Sequence, residues 1–279
     1  MWFALKPGTL TPPPSLLSAF LWTGLVLLGY VTTIWLFSLW KKDASIMDIF
    51  WSLGFVLASL SYAFFLSQDG PRFWFAFLPV MLWGGRLALH IGIRAIGKPE
   101  DPRYQKWRRE HGKIWWWRSF LQVFLLQGFL LWLISTPLLL LHKPSQAPIV
   151  GLATLFGLAL WTIGFVFESV ADWQLTRFRA DANNRGKVLN KGLWYYSRHP
   201  NYFGEAVLWW GFFVMALNTG GWWTFFSPVL MTWLLLKVSG VAMLDKLLVR
   251  TKPHYREYIE TTNAFFPGPK KKSIAETPV

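Results

Sequence analysis

The chain has no cysteine among its 279 residues and is poor in charge, since Asp, Glu, Lys and Arg make up only 15% of it. The lack of cysteine excludes disulfides, thiolate nucleophiles and Cys-ligated metals. Histidine is also scarce, with five residues. None of them forms an H-x-x-x-H or E-x-x-H grouping, so we expect no metal site.

Long apolar runs dominate what is present. Hydrophobic residues make up 53% of the chain, and several runs reach the roughly 20 residues that cross a hydrocarbon core. The first run ends in Lys41 and Lys42 rather than at a cleavage pattern, so we expect it to remain in the mature protein. The sequence predicts an all-α, seven-transmembrane helix bundle with spans at 16–40, 46–66, 73–95, 120–141, 149–173, 202–218 and 222–244.

The net charge of +14 is unevenly distributed. Most of the 28 Lys and Arg residues fall in predicted loops on one side of the bundle, at 94–118, at 174–201 and after 244. By the positive-inside rule that side is cytoplasmic, which places the N-terminus outside and the C-terminus in the cytoplasm. Basic loops also attract anionic lipid headgroups. We therefore expect membrane lipids as partners, no nucleic acid and no obligate protein partner.

Five carboxylic residues are predicted at the cytoplasmic ends of apolar spans, where an ionisable group is costly unless it faces a partner or water. They are Asp48, Glu168, Asp172, Glu205 and Asp245. Glu168 and Asp172 are four residues apart, as are Asn201 and Glu205, so each pair lies on one helical face. If the fifth and sixth spans pack side by side, these faces line one polar cavity.

Simpler structural roles remain open for these residues. A single carboxylate, such as Glu205, can form an interhelical salt bridge with Arg198 or Lys237. His90 follows Arg86 by one helical turn and is either a general acid or a hydrogen-bonded structural histidine. Pro200 fits the first position of the sixth helix, and a helix N-terminus favours anions.

Motifs in the second half carry a family resemblance. They are G-L-W-Y-Y-S-R-H-P-N-Y-F-G-E at 192–205, E-S-V-A-D-W-Q-L-T-R-F-R at 168–179 and Y-R-E-Y-I-E-T-T-N-A-F-F-P-G at 255–268. Together they resemble the catalytic half of the steroid 5-alpha reductase family. I-M-D-I-F-W, L-W-G-G-R-L-A-L-H and E-D-P-R-Y in the first half fit its bacterial branch. The R-H-P-N-Y core also occurs in sterol C14 reductases, and isoprenylcysteine carboxyl methyltransferases have a similar R-H-P pattern.

The resemblance implies a membrane reductase that holds NADPH in a cytoplasmic-side cavity and transfers hydride to the beta carbon of a lipophilic enone, such as a 3-oxo-delta4-steroid. Asp48 is expected to polarise the substrate carbonyl as a protonated carboxyl. His90 stands where the steroid enzymes have a tyrosine. The expected cofactor contacts are Arg94, Arg103, Glu168, Asp172, Arg179, Arg198, His199, Asn201, Tyr202, Glu205 and Asp245.

The resemblance also implies an organisation and a location. Within one membrane domain, 1–279, we expect mainly substrate-side helices at 1–145, an NADPH-binding half at 146–268 and a flexible tail at 269–279. The similarity to the bacterial branch favours a bacterial inner membrane.

Two other functions are compatible with the sequence. An S-adenosylmethionine-dependent membrane methyltransferase would share the R-H-P pattern, but the Arg and Lys residues around it suit a cofactor with several phosphates better than a cationic sulfonium. A scaffold or transporter would bind no nucleotide.

Overall fold

The computed structural model describes residues 15–145, 148–238 and 241–271. All regular elements in these ranges are helical, which confirms the predicted class. The chain divides into two compact units, Met1–Ile149 and Val150–Val279. Residues 1–14, predicted to begin outside the membrane, and residues 272–279 of the predicted tail lie outside the described ranges.

Local sequence signals define the helices of the first unit. Ser15 begins the first helix, because its side-chain oxygen accepts a hydrogen bond from Ser18 N at 3.1 Å. Lys42 ends it in the left-handed conformation, with φ of 55°. The helices are α1 (Leu16–Lys41), α2 (Ile46–Phe65), α3 (Gly70–Ala95), α4 (Pro102–His111), α5 (Trp115–Ser119), α6 (Leu126–Ile134) and α7 (Thr136–Leu141), with a π-helical segment, Phe120–Leu125, before α6.

Buried polar contacts join the apolar helices of this unit. Ser52 on α2 donates to Gly84 O on α3 at 2.9 Å. A Cβ at Gly84 would lie 2.8 Å from Ser52 O, so the close approach needs glycine. Tyr62 on α2 is fully buried and its hydroxyl lies 2.8 Å from that of Ser135, which follows α6. These contacts satisfy polar groups that apolar surroundings would otherwise leave unpaired.

The second unit is built around two long helices. They belong to the set α8 (Leu152–Ala180), α9 (Leu193–Tyr196), α10 (Pro200–Leu217), α11 (Phe226–Trp233), α12 (Val241–Thr251) and α13 (Tyr255–Thr261). Pro200 is the first residue of α10, as predicted, because proline needs no helical N–H partner there. Glycines allow the backbones of α8 and α10 to touch along their length. These are Gly157 and Gly164 on α8 and Gly204 and Gly211 on α10.

Five segments of the described chain are long and apolar enough to cross a membrane, which indicates a multi-pass membrane protein. They are Leu16–Lys41, Ile46–Phe65, Gly70–Ala95, Pro102–Leu141 and Leu152–Ala180. They overlap the first five predicted spans, although the fourth segment begins well before the predicted start at 120 and the fifth ends beyond the predicted end at 173. The predicted sixth span falls on α10, and the seventh falls on α11, a π-helical segment and α12; neither is among these five segments of the described chain. Crossing by these two segments, and the orientation of the chain, remain predictions.

Candidate functional site

The close contact of α8 and α10 creates a buried polar face in the second unit. Glu168 and Asp172, one turn apart on α8, are 2% and 6% exposed, and Glu205 on α10 is 7% exposed. Asn201, in the first turn of α10, donates from Nδ2 to Asp172 Oδ1 at 3.1 Å. The two helical faces singled out in the sequence therefore meet at this pair.

Glycine packing explains why these side chains come so close. A Cβ at Gly204 would lie 2.5 Å from Glu168 N, and a Cβ at Gly164 would lie 2.4 Å from Gly204 O. Only glycine permits this backbone contact one turn away from the polar pair. Asn201 Oδ1 is itself buried and has no hydrogen-bond partner among the described residues. A buried acceptor without a donor is costly, so it marks a place where a ligand donor fits.

Arg198 and His199 precede α10 and contact a different carboxylate. Arg198 Nη2 donates to Asp245 Oδ2 at 2.8 Å, and His199 Nε2 lies 3.1 Å from Asp245 Oδ1. The Tyr255 hydroxyl donates to the same oxygen at 2.7 Å. Burial acts to raise the pKa of Asp245, but the hydrogen bonds from His199, Arg198 and Tyr255 outweigh it and hold that pKa well below its usual range.

The S-R-H element also binds the segment that we call the C-terminal strap, residues 255–268. Arg198 N donates to Asn263 O at 2.9 Å, while its Nη1 donates to Thr262 O at 2.6 Å. Ser197 Oγ donates to Phe265 O at 2.8 Å, and Gly268 N donates to Tyr196 O at 3.1 Å. The buried guanidinium of Arg198, with its carbonyl partners and one carboxylate, therefore has a structural role, which is to hold the strap. Sequence reasoning missed this role, although the strap motif was itself conspicuous.

Residues of the R-H-P-N-Y element therefore contact two different parts of the second unit. Arg198 and His199 face the strap and Asp245, whereas Asn201 and Glu205 belong to the α8–α10 face. The ring of Tyr202 stacks on His199, with centroids 5.6 Å apart and planes 1° apart. One short stretch thus fixes the C-terminal strap next to the start of α10.

The first unit brings together Asp48 and Arg103, for which separate roles were predicted. Asp48 Oδ2 accepts from Arg103 Nη2 at 2.8 Å, and Oδ1 accepts from the Tyr104 hydroxyl at 2.6 Å. Gln127 donates to the Tyr104 oxygen at 3.3 Å. Arg103 also donates to Asp101 at 2.9 Å. Two donors on one carboxyl are what an ionised carboxylate accommodates best. Tyr104 was not singled out from the sequence.

The remaining predicted residues of this unit lie on α3. Arg86 and His90 are half-buried one turn apart, and Arg94 is exposed near the end of the helix. Arg94 is close to Asp101, which precedes α4. Burial acts to raise the pKa of Asp101, but the bonds and charge of Arg103, with that of Arg94, hold it below its ordinary value.

A cavity of about 390 Å³ lies within the second unit, beside the C-terminal end of α8. The charge distribution predicts that this end of the helix is cytoplasmic. Trp173, Gln174, Arg177 and Lys191 are among its lining residues. The predicted cofactor residue Arg179 is exposed on the last turn of α8. Among the residues that the structure describes, no group of three or more His, Asp or Glu side chains is placed to hold a metal ion.

The amino-acid sequence supports a family assignment. The chain belongs to the family described as "Protein of unknown function (DUF1295)", whose sequence profile matches residues 34–262. It is also similar to an uncharacterized protein of Schizosaccharomyces pombe, 23% identical over 277 residues that cover 87% of this chain and 78% of that protein. No solved structure matches the chain.

Named relatives match over a shorter stretch. The chain is 31% identical over 120 residues to the 3-oxo-5-alpha-steroid 4-dehydrogenase 1 of Rattus norvegicus, covering 43% of this chain and 39% of that protein. The Mus musculus protein of the same name is 30% identical, with 40% of it covered. The chain thus spans less than half the length of these relatives. The matches support a steroid 5-alpha reductase-like superfamily and not the narrower bacterial branch.

Proposed function

We propose that this protein is a membrane reductase that binds NADPH and reduces the C=C bond of a lipophilic enone. The observation that carries the proposal is the α8–α10 face, where Asn201 contacts Asp172 at 3.1 Å beside the buried Glu168 and Glu205. Ionisable groups buried in an apolar bundle are rare without a function. The steroid dehydrogenase names of the rodent relatives support a redox role.

The donors and acceptors of this face fit the cofactor. Carboxylate oxygens and the unpaired Asn201 Oδ1 accept hydrogen bonds, and ribose hydroxyls and the nicotinamide amide donate them. Arg179 lies seven residues after Asp172 on α8, which is nearly the same helical face and about 10 Å further along the axis. We assign Arg179 to a phosphate of the cofactor. NADPH would supply the hydride, and the protein would hold it and exclude water.

Reduction of an enone leaves negative charge on the carbonyl oxygen, so a hydrogen-bond donor is needed there. We assign this task to the cluster around Asp48. Because Asp48 accepts from both Arg103 and Tyr104, it is better suited to orient those two donors than to give up a proton itself.

The proposed substrate follows from the names of the rodent relatives. A 3-oxo-delta4-steroid, reduced to its 5-alpha-dihydro product, is the substrate that the rodent names suggest. We also propose seven spans with a cytoplasmic C-terminus, and a bacterial inner membrane as the location. The S-adenosylmethionine alternative has no specific support from the structure.

Ligand-induced stabilisation tests the proposal. NADPH at 100 times its Kd should stabilise the purified protein by about 2.7 kcal/mol, whereas S-adenosylmethionine should not. Asn201→Leu should weaken NADPH binding at least about tenfold, because it removes the free acceptor Oδ1 together with the Nδ2 donor to Asp172. Asn183→Leu, in an exposed loop of the same unit, is the matched control and should bind normally.

Turnover gives a second readout. NADPH absorbance should fall when a progesterone-like enone is added, and Glu205→Gln should slow that fall. Stabilisation by S-adenosylmethionine alone, or full NADPH affinity in Asn201→Leu, would refute the proposed site.

A further inference from the structure

The loop between α8 and α9 encloses the cavity of about 390 Å³ against the C-terminal end of α8. Near the start of the loop, Asn184 Nδ2 donates to Phe178 O at 3.0 Å. At its far end, Leu193 N donates to Gln174 Oε1 at 3.0 Å. Gly192 makes this second approach with φ of 61°, a backbone conformation that favours glycine. Two separate ties to α8 therefore fix the walls of the cavity.

Two cationic side chains, Arg177 and Lys191, line this cavity. Neither of them forms a salt bridge within the part of the chain that the structure describes. The Arg177 guanidinium lies 5.5 Å from the centroid of the Trp173 ring, which holds it at the cavity. Asp181 also lines the cavity, but its oxygens accept from two groups of its own loop, at 2.9 Å and 3.4 Å. The cavity therefore offers two cations to an anion, and Arg and Lys together suit a phosphate group.

An apolar stripe on α8 leads to the cavity. It consists of Ile163, Val166, Val170 and Trp173, which recur every three or four residues and so lie on one helical face. Val170 is half-buried and the other three are exposed. Because α8 is long and apolar enough to cross a membrane, this face meets acyl chains, and a tryptophan at its end lies at headgroup level. Arg177 continues the same face about 6 Å further along the axis, where lipid phosphates lie.

The cavity and the proposed cofactor face lie on different sides of α8. Asp172 contacts Asn201 of α10. Arg177 follows Asp172 by five residues, which places it about 140° further around the helix. The cations of the cavity are therefore separate from the α8–α10 face and are not used by the proposed reaction.

We propose that the cavity binds the headgroup of one anionic phospholipid of the phosphatidylglycerol class. The lipid phosphodiester lies between Arg177 and Lys191, and an acyl chain lies along the apolar stripe. The headgroup hydroxyls of this class are hydrogen-bond donors. Asp181 Oδ2, whose hydrogen bond within the loop is long at 3.4 Å, accepts from one of them. The inference goes beyond the proposed function and does not require that a dinucleotide binds.

Native mass spectrometry of the full chain, purified in detergent, measures the affinity for each added lipid. Wild type should bind dioleoylphosphatidylglycerol at least about tenfold more tightly than dioleoylphosphatidylcholine, whose headgroup carries no net charge. Each Lys or Arg near an anionic headgroup contributes about fivefold in affinity. Arg177→Gln and Lys191→Gln should therefore each weaken phosphatidylglycerol binding by about that factor and leave phosphatidylcholine binding within about twofold.

Two cations of the same loop provide matched controls. Arg185 and Lys187 are exposed and do not line the cavity, so Arg185→Gln and Lys187→Gln should bind phosphatidylglycerol as wild type does. Thermal melts without lipid check that all four variants are folded. If the controls lose as much affinity as Arg177→Gln, the loop attracts lipid through diffuse charge and the proposed site is wrong. A wild type without preference for phosphatidylglycerol over phosphatidylcholine, or with tighter binding of phosphatidylethanolamine, would also overturn the inference.

Two further probes separate a lipid site from a site for a soluble ligand. Glycerophosphoglycerol, the same headgroup without acyl chains, should compete weakly because it cannot contact the apolar stripe. Competition as strong as that of the whole lipid would assign the cavity to a soluble phosphodiester and refute the lipid site. NADPH affinity should be unchanged in Arg177→Gln, and its loss with unchanged lipid binding would place Arg177 in the cofactor site instead. If wild type binds no dinucleotide, the proposed function fails, and the lipid measurements still decide this inference.

Discussion

Replacing Gly164 by alanine tests the helix contact that brings the polar face together. A Cβ at this position would lie 2.4 Å from Gly204 O and 2.5 Å from Leu208 N. Both atoms belong to the backbone of α10, so no side-chain rotation relieves the clash. Gly164→Ala therefore has to push α8 and α10 apart.

The size of the effect follows from these distances. Moving the nearest atom from 2.4 Å to the 3.4 Å at which ordinary contacts begin requires a local separation of about 1 Å. Overpacking of this kind costs about 1–3 kcal/mol, and the gain of up to about 1 kcal/mol in helix propensity offsets only part of it. The 3.1 Å bond between Asn201 and Asp172 has little tolerance for that movement. We expect lower stability and weaker NADPH binding together.

Thermal melts and NADPH titrations of the purified variant provide the assay, and two glycines provide controls. Gly29 and Gly85 also lie within helices, but a Cβ there would meet nothing within 4 Å. Gly29→Ala and Gly85→Ala should be neutral or stabilising by up to about 1 kcal/mol, with unchanged NADPH binding. If Gly164→Ala melts at the wild-type temperature and binds NADPH normally, the glycine contact does not position the site.

The remaining predictions concern the two carboxylate clusters. Because the folded-state pKa of Asp245 is depressed, its ionised form adds stability above the ordinary carboxyl pKa of about 4, and this stability is lost as the pH falls below it. Thermal melts across pH should therefore show that Asp245→Asn is less stable than wild type at neutral pH, with the difference shrinking in acid; a constant difference would contradict the assignment. Asp48→Asn should slow enone turnover at least about tenfold with NADPH affinity unchanged, because Arg103 and Tyr104 lose their carboxylate. Unchanged turnover in steady-state assays would remove Asp48 and its two partners from the reaction.

The parts of the fold that depend on composition could be predicted from the sequence. Apolar runs bounded by Lys41 and Ile46 gave the ends of α1 and α2 within a residue or two, and Pro200 gave the start of α10. The four-residue spacing of Glu168 and Asp172 gave a shared face. These features are local, because helix length and periodicity are properties of consecutive residues.

The partners of the charged side chains could not be predicted, because they depend on contacts between residues that are distant in the sequence. Arg198 was predicted to contact the cofactor. In the structure its anion is Asp245, and its other acceptors are backbone carbonyls of the strap. A sequence shows that a guanidinium needs acceptors and does not show whether the protein or a ligand provides them. Arg103 and Asp48 illustrate the same point, since 55 residues separate them and each is the other's partner.

The most direct measurement of the central claim is a density map of the purified protein with NADPH added. The account predicts a dinucleotide in contact with Asn201 and Asp172, with a phosphate against Arg179. An α8–α10 face with no nucleotide against it, in a sample that binds NADPH elsewhere or not at all, would contradict the account.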